Sequence, residues 1–247
     1  MYLLGDIGNS ETKICLINSN FRIIKRMSFK SKGLTKKILS KKLSFIKLDN
    51  LNSVESIFCS VVPSSLKIIK KVLLKKRIKL IELKDISLKN LININVNKKQ
   101  IGSDRLANAL SVIDKKNNYI VIDFGTATTF DVIVKKNYLG GVIAPGVNLS
   151  LDTLSLKASL IPTVKLAKVT KVIGKNTTNA VQSGFYWGYT GLINSTIQLI
   201  KKQTKKNFKI VLTGGLAHLF KNSINIKASI DKDLTIKGLI KLMRFKN

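Results

Sequence analysis

Asp123-Phe124-Gly125-Thr126-Ala127-Thr128-Thr129-Phe130-Asp131 is the stretch whose reading decides the fold. Tyr119 to Ile122 form a β-branched apolar run ahead of it and Phe130 to Val134 another behind, so its polar centre reads as the tight connection of a β-hairpin. Gly125, lacking a Cβ, lets the backbone turn and lets a bulky anion approach exposed N–H groups. The threonine hydroxyls add donors along the same edge. Asp123 and Asp131 would repel a bare phosphate. They make sense when a cation sits between carboxylate and phosphate, as magnesium does at nucleotide sites.

The N-terminus repeats the device. Leu3-Leu4-Gly5 runs into Asp6-Ile7-Gly8-Asn9-Ser10-Glu11-Thr12-Lys13, and the apolar Ile14 to Ile17 follow. Aspartate, glycine two on and threonine six on recur as Asp6, Gly8, Thr12 and as Asp123, Gly125, Thr129, about half the chain apart. Two phosphate hairpins, one per half, predict a duplicated domain with a nucleotide in the cleft between the copies. The expected boundaries are 1–114 and 115–247.

Bulk composition narrows the classes. The 247 residues suffice for one large domain or two that each bury a core, and a hydrophobic share of 45% is that of a globular chain. No uncharged apolar run reaches the roughly 18 residues a membrane helix needs, and Asp6 interrupts the start before a signal-peptide core could form. A cytosolic protein with no membrane partner is expected, with Cys15 and Cys59 as buried thiols. The 44 Lys and Arg stand against 13 Asp and Glu, a formal charge of +31. The excess is mostly paired lysine, such as Lys36-Lys37, Lys70-Lys71 and Lys201-Lys202, without an arginine-rich arm or interleaved aromatics. It reads as a solvated lysine coat rather than a dedicated nucleic-acid surface.

In chain order, strands are expected at Tyr2 to Asp6, Thr12 to Asn18 and Phe21 to Phe29, an antiparallel meander. A helix is expected from Gly33 to Lys47, its apolar set including Leu34, Leu39 and Ile46. A buried strand from Val54 to Val62 should lead to a helix capped by Ser64-Ser65 and running to Lys76, then a short strand from Lys79 to Leu83. Strands alternating with helices after a meander give an α/β order. Ser87 to Gln100 reads as an irregular, asparagine-rich loop. Gly102-Ser103-Asp104-Arg105 then opens a helix with Ser103 as its N-cap. Asp104 is either a first-turn charge suited to a helix N-terminus or a functional carboxylate, and on the residues alone both readings stand.

Beyond the second hairpin, Gly140-Gly141 and Pro145-Gly146 mark a bend, and Val147 to Leu160 reads as helix. Asn176-Thr177-Thr178 caps a long helical pattern carrying Gly184, Gly188 and Gly191. That much glycine predicts either a closely packed second element or a break into two helices. Phe208 to Thr213 should be a strand ending at Gly214-Gly215, where a base or ribose can lie against backbone. A last strand is expected at Ile224 to Ile226 and a closing helix at Asp233 to Met243. His218 has no neighbours with which to bind a metal.

Asp6-x-Gly8-Asn9-Ser10 with Lys13, Gly102-Ser103-Asp104-Arg105, Asp123-x-Gly125-Thr126-Ala127-Thr128-Thr129-x-Asp131, Gly140-Gly141 with Pro145-Gly146, Asn176-Thr177 and Gly214-Gly215 occur in one order along nearly the whole chain. This set resembles the type III pantothenate kinases of the acetate kinase, sugar kinase and actin superfamily. The resemblance implies two duplicated ribonuclease-H-like domains, a homodimer, and ATP-dependent phosphorylation of pantothenate to 4'-phosphopantothenate, the first step towards coenzyme A. It implies Mg2+ and a monovalent cation, K+ or NH4+, as cofactors.

By the same resemblance, Asp6, Ile7, Gly8, Asn9, Ser10, Glu11, Thr12 and Lys13 bind ATP, with Asp6 orienting magnesium through water. Thr126 also contacts ATP, and Asp123 holds the monovalent cation. Gly102, Ser103, Asp104, Arg105 and Thr177 bind substrate. Arg105 suits a carboxylate through its bidentate fork. Asp104 is the catalytic residue. A carboxylate with a reference pKa of about 4 cannot ionise an alcohol beforehand, so it accepts the proton late in a loose phosphoryl transfer. The family usually carries a substrate-contacting tyrosine seven residues ahead of Gly102, where this chain has Asn95. That departure motivates a second hypothesis, a nucleotide-binding regulator or scaffold of the same fold without kinase activity.

Overall fold

The structure is a computed structural model of the chain and describes residues 1–44 and 54–246. Contacts divide it into two units, one made of Met1–Val112 with Asp233–Asn247, the other of Ile113–Lys232.

In the first unit, β1 (Tyr2–Ile7), β2 (Glu11–Ile17) and β3 (Ile23–Lys30) form the expected antiparallel meander. Then come α1 (Lys36–Lys42), β4 (Glu55–Ser60), α2 (Pro63–Lys75), β5 (Leu80–Glu82), the two-residue β6 (Asn93–Ile94) and α3 (Ser103–Val112). The sheet order is β3-β2-β1-β4-β5, with β1, β4 and β5 parallel. Leu3, Ile7, Ile14, Phe58, Ile69 and Leu73 lie at the centre of its core.

The second unit repeats this plan. It contains β7 (Asn118–Phe124), β8 (Ala127–Val134), β9 (Asn137–Pro145), α4 (Val147–Lys157), α5 (Thr177–Thr204), β10 (Lys209–Gly214), α6 (Ala217–Phe220) and β11 (Ala228–Ile230). Strands β9, β8, β7, β10 and β11 are neighbours in that order. As in the first unit, the hairpin pairs are antiparallel and the crossover pairs parallel. Five strands of each unit thus share one order and one set of directions, which is the duplication expected from the two hairpins and the ribonuclease-H-like architecture implied by the resemblance.

Several boundaries differ from expectation for identifiable reasons. The first boundary, expected after residue 114, falls within two residues of that point. The closing helix α7 (Leu234–Lys246), expected in the second copy, packs in the first unit against α3. Gly238 lies so close to α3 that a Cβ there would stand 1.8 Å from Ala107 O. Thr235 Oγ1 donates to the buried Asn108 Oδ1 at 3.0 Å, and Arg26 pairs with Asp233 at 2.9 Å. The expected helix at 33–47 is realised as α1, capped by Thr35 Oγ1, which accepts from Ile38 N at 3.3 Å. Ile46 and Lys47 lie outside the described residues.

Helix α2 starts at Pro63, whose missing N–H costs nothing at a first helical position, so Ser64-Ser65 fall inside it. The strand expected at Ile224 to Ile226 forms instead at Ala228–Ile230, where it pairs with Ile210 to Leu212 of β10. α5 is a single helix of 28 residues, begun by Asn176 Oδ1 accepting from Asn179 N at 2.9 Å. Neither expected explanation of its glycines holds among the described residues. The helix is unbroken, and a Cβ on Gly184, Gly188 or Gly191 would meet nothing within 4 Å.

Candidate active site

β1 ends at the first hairpin with Asp6 flanked by Lys13 across the antiparallel pair and by Cys59 across the parallel one. Gly8 N–H donates to Glu11 O at 3.0 Å and closes the turn, leaving Asn9, Ser10 and Glu11 exposed at its tip. Lys13 Nζ lies 3.6 Å from Glu11 Oε2. Backbone amides, a hydroxyl and an ammonium at one edge suit a polyphosphate. Ile7 and Thr12 turn inward instead. Ile7 is fully buried, and the Thr12 hydroxyl shares a 2.8 Å hydrogen bond with Ser31 Oγ, so these two shape the turn from beneath.

Cys59 Sγ is 3.5 Å from Asp6 Oδ1 and 3.6 Å from Gly5 O. Burial, and then the charges of Asp6, Asp104 and Glu82, push this thiol well above the usual range. It therefore stays protonated and donates towards the Asp6 carboxylate.

Asp104 lies in the first turn of α3, as expected. Arg105 N–H donates to its Oδ1 at 2.8 Å. Burial pushes the Asp104 carboxyl above its ordinary range, and the Arg105 N–H bond with the charges of Arg105 and Lys84 offsets this only in part. The carboxylate folds back over Gly102, where a Cβ would stand 2.4 Å from Asp104 Oδ1. Ser103 begins the helix but does not cap it. Its hydroxyl donates to Glu82 Oε1, because the buried carboxylate is the stronger acceptor.

In the second unit Asp123 occupies the place of Asp6, with Thr129 across the antiparallel pair and Thr213 across the parallel one. Gly125 N–H donates to Ala127 O at 3.1 Å, and Thr126 is exposed in the turn. Gly214 has φ +85°, and a Cβ there would stand 2.6 Å from both Asp123 Oδ1 and Phe124 O, so only glycine lets β10 end against Asp123. Thr129 Oγ1 is buried without a hydrogen-bond partner among the described residues. An orphaned hydroxyl oxygen beside a carboxylate is the donor set of a hard cation. Asp131 does not join it. It is fully buried in the core and accepts from Tyr138 Oη at 2.6 Å through Oδ1.

The sequence profile of the type III pantothenate kinases matches residues 2–199. The chain belongs to the type III pantothenate kinase family. It is 56% identical over 243 residues to the type III pantothenate kinase of Pelagibacter ubique, covering 98% of each chain. It is 44% identical over 147 residues to that of Paramagnetospirillum magneticum, covering 59% of this chain and 56% of the other. Among solved structures it resembles a Campylobacter jejuni protein provisionally described as a Baf family transcriptional activator, with TM-score 0.63, 21% identity and coverage of 99% and 98%. It also resembles the activator of 2-hydroxyisocaproyl-CoA dehydratase from Clostridium difficile with bound ADPNP, with TM-score 0.50, 12% identity and coverage of 97% and 91%. At such identities these structures speak for the actin-like ATPase fold only.

Against that family background, Asp6, Cys59, Glu82, Asp104 and Arg105 all lie in the first unit, and Asp123, Thr126 and Gly214 in the second. Thr177 is exposed as the first residue of α5, and Asn95 is exposed just after β6. Gly215 is open, and a Cβ there would meet nothing within 4 Å. Glu82 and the Cys59–Asp6 contact were not legible in the sequence. The one available signal was an acid inside an otherwise apolar strand of a chain with 13 acids in all. Among the described residues, no group of three or more His, Cys, Asp or Glu could hold a metal ion, and no helix is long and apolar enough to cross a membrane.

Proposed function

We propose that the chain transfers the γ-phosphoryl group of ATP to the alcohol of pantothenate, yielding 4'-phosphopantothenate, with Asp104 as proton acceptor. The observation that carries this reading is that the end of β4 adjoins both segments: Cys59 Sγ lies 3.5 Å from Asp6 Oδ1, and a Cβ on Gly102 would stand 3.6 Å from Val61 Cγ1. The first hairpin and the start of α3 therefore share one neighbourhood.

Phosphoryl transfer is dominated by positioning and charge neutralisation, so each residue can be given one task. The Asn9 and Ser10 amides, in the turn that the Gly8 N–H closes, and the Lys13 ammonium hold phosphate, and Thr126 adds a contact to ATP. Arg105 takes the pantothenate carboxylate in a bidentate pair, with Gly102 and Thr177 as further substrate contacts, while the fully buried Ser103 keeps its hydroxyl on Glu82. Asp104 orients the alcohol and takes its proton as the bond to phosphorus forms. Its burial-raised pKa makes it a better acceptor than a solvated carboxylate. Asp6 would hold Mg2+ through water, supplying charge neutralisation at the phosphates. Asp123, with the Thr129 hydroxyl beside it, would hold K+ or NH4+ and so supply a fixed positive charge.

ADP release should require pantothenate and should be faster in potassium than in sodium at equal ionic strength. A coupled ADP assay decides this. Release that ignores pantothenate, or none at all, would overturn the reading.

The same reading includes a homodimer formed through α5. Three glycines without neighbours are spaced along the helix at 184, 188 and 191, and Trp187 and Leu199 are 37% and 65% exposed there. Small residues let a second backbone approach closely, and the exposed Trp187 offers an anchor. Gly188→Leu should convert dimer to monomer in sedimentation equilibrium and raise the pantothenate KM through loss of the arrangement around Thr177. A wild-type monomer would remove this part. A cytoplasmic setting fits Cys15 and Cys59, both buried and free.

A further inference from the structure

Glu82 is the last residue of β5, 8% exposed, opposite the fully buried Phe58 of β4. A carboxylate in such a place is costly unless its oxygens are satisfied. Both are used: Oε2 accepts from Lys84 N at 2.7 Å, and Oε1 accepts the hydroxyl of Ser103. Ser103 is itself 0% exposed and directly precedes Asp104 as the first residue of α3. The same corner is stitched again by lysines. Lys98 Nζ donates to Lys84 O at 3.2 Å and to Ile86 O at 3.1 Å, and Lys84 Nζ donates to Lys99 O at 3.1 Å. The chain entering α3 is thereby tied to the end of a sheet strand through side chains.

We propose that Glu82 is a positioning residue which, through the Ser103 hydroxyl, sets where the first turn of α3 begins and hence where the Asp104 carboxylate points. This rests on the kinase reading above. Glu82 touches neither substrate nor the reacting atoms. Small displacements of an acceptor are costly in rate because the reacting groups must stay within a narrow range of geometry. Arg105 N–H, which holds Asp104 Oδ1, belongs to the same first turn.

The test compares Glu82→Gln, Ser103→Ala and Ser103→Thr in the full chain. Glu82→Gln and Ser103→Ala are expected to lower kcat about tenfold to a hundredfold with the ATP KM unchanged. Ser103→Thr, which keeps the hydroxyl, should retain most of the activity. In the two impaired variants the acid limb of kcat against pH should move to lower pH, since a loosened Asp104 gains water and loses part of its burial. Hydrogen exchange at the Arg105 and Leu106 amides should speed up. Lower melting temperatures with unchanged kcat, pH profile and exchange would show that Glu82 only supports the fold and would overturn the proposal. If the wild-type protein lacks pantothenate-dependent turnover, the kinase reading fails separately. Exchange at Arg105 and Leu106 then decides this inference alone, and unchanged protection in Glu82→Gln sinks it.

Discussion

Asp104→Asn should lower pantothenate-dependent ADP release by about 10³-fold while leaving ATP binding intact. The amide keeps the shape of the carboxylate and can still accept the Arg105 N–H bond made at 2.8 Å. It cannot take a proton. The loss therefore falls on kcat, because the interaction removed matters only as the alcohol proton is transferred. Wild-type turnover should fall as the pH drops through the raised pKa of Asp104, and single-turnover measurements across pH read that limb. Full activity in Asp104→Asn would take Asp104 out of the chemistry.

The same substitution carries a stability signature of opposite sign. Burial raises the Asp104 pKa in the folded protein, so the native state binds its proton more tightly than the unfolded chain does. Stability from this group is fully present below the unfolded pKa and is lost as pH rises through the folded one. At neutral pH the charged carboxylate is a cost to the fold, and Asp104→Asn should melt at the same temperature or higher. The difference should fade below about pH 4, where Asp104 is protonated in both states. Thermal melts at both pH values check this. A variant less stable at neutral pH would contradict the assigned burial.

Gly102→Ala should lower kcat by about 10²-fold with little loss of stability. The added Cβ would stand 2.4 Å from Asp104 Oδ1, but the atom it meets is the tip of a side chain that can rotate away. Rotation relieves the clash cheaply and moves the acceptor off its position. Kinetics together with a thermal melt separate this from general damage. A variant with normal kcat would mean that Asp104 tolerates displacement, which the positioning argument does not allow.

These predictions draw unequally on what could be read beforehand. The two hairpins were legible because aspartate, glycine and threonine at fixed spacing between β-branched runs are local features, set by residues adjacent in the chain. The meander at β1 to β3, the strands β4 and β10, and the position of Asp104 in the first turn of α3 followed from the same kind of local pattern. The role of Ser103 was misjudged because a serine before a helix looks like a cap until a buried carboxylate 21 residues earlier competes for its hydroxyl. Asp131 looked equivalent to Asp123, being two positions beyond Thr129. It is nevertheless buried and held by Tyr138, since residues that share a strand face can differ fully in what covers them.

The sequence by itself determined the α/β class, the duplication and the family, because hydrophobic period, turn chemistry and motif spacing are written over short distances. Only the tertiary structure decided that α7 packs with the first unit, where Gly238 meets Ala107. Only it decided that Cys59 serves Asp6 and that Glu82 holds the start of α3. Those three facts depend on which distant segments a buried surface brings into contact. Burial is a property of the assembled core, to which each residue contributes and which no short stretch encodes.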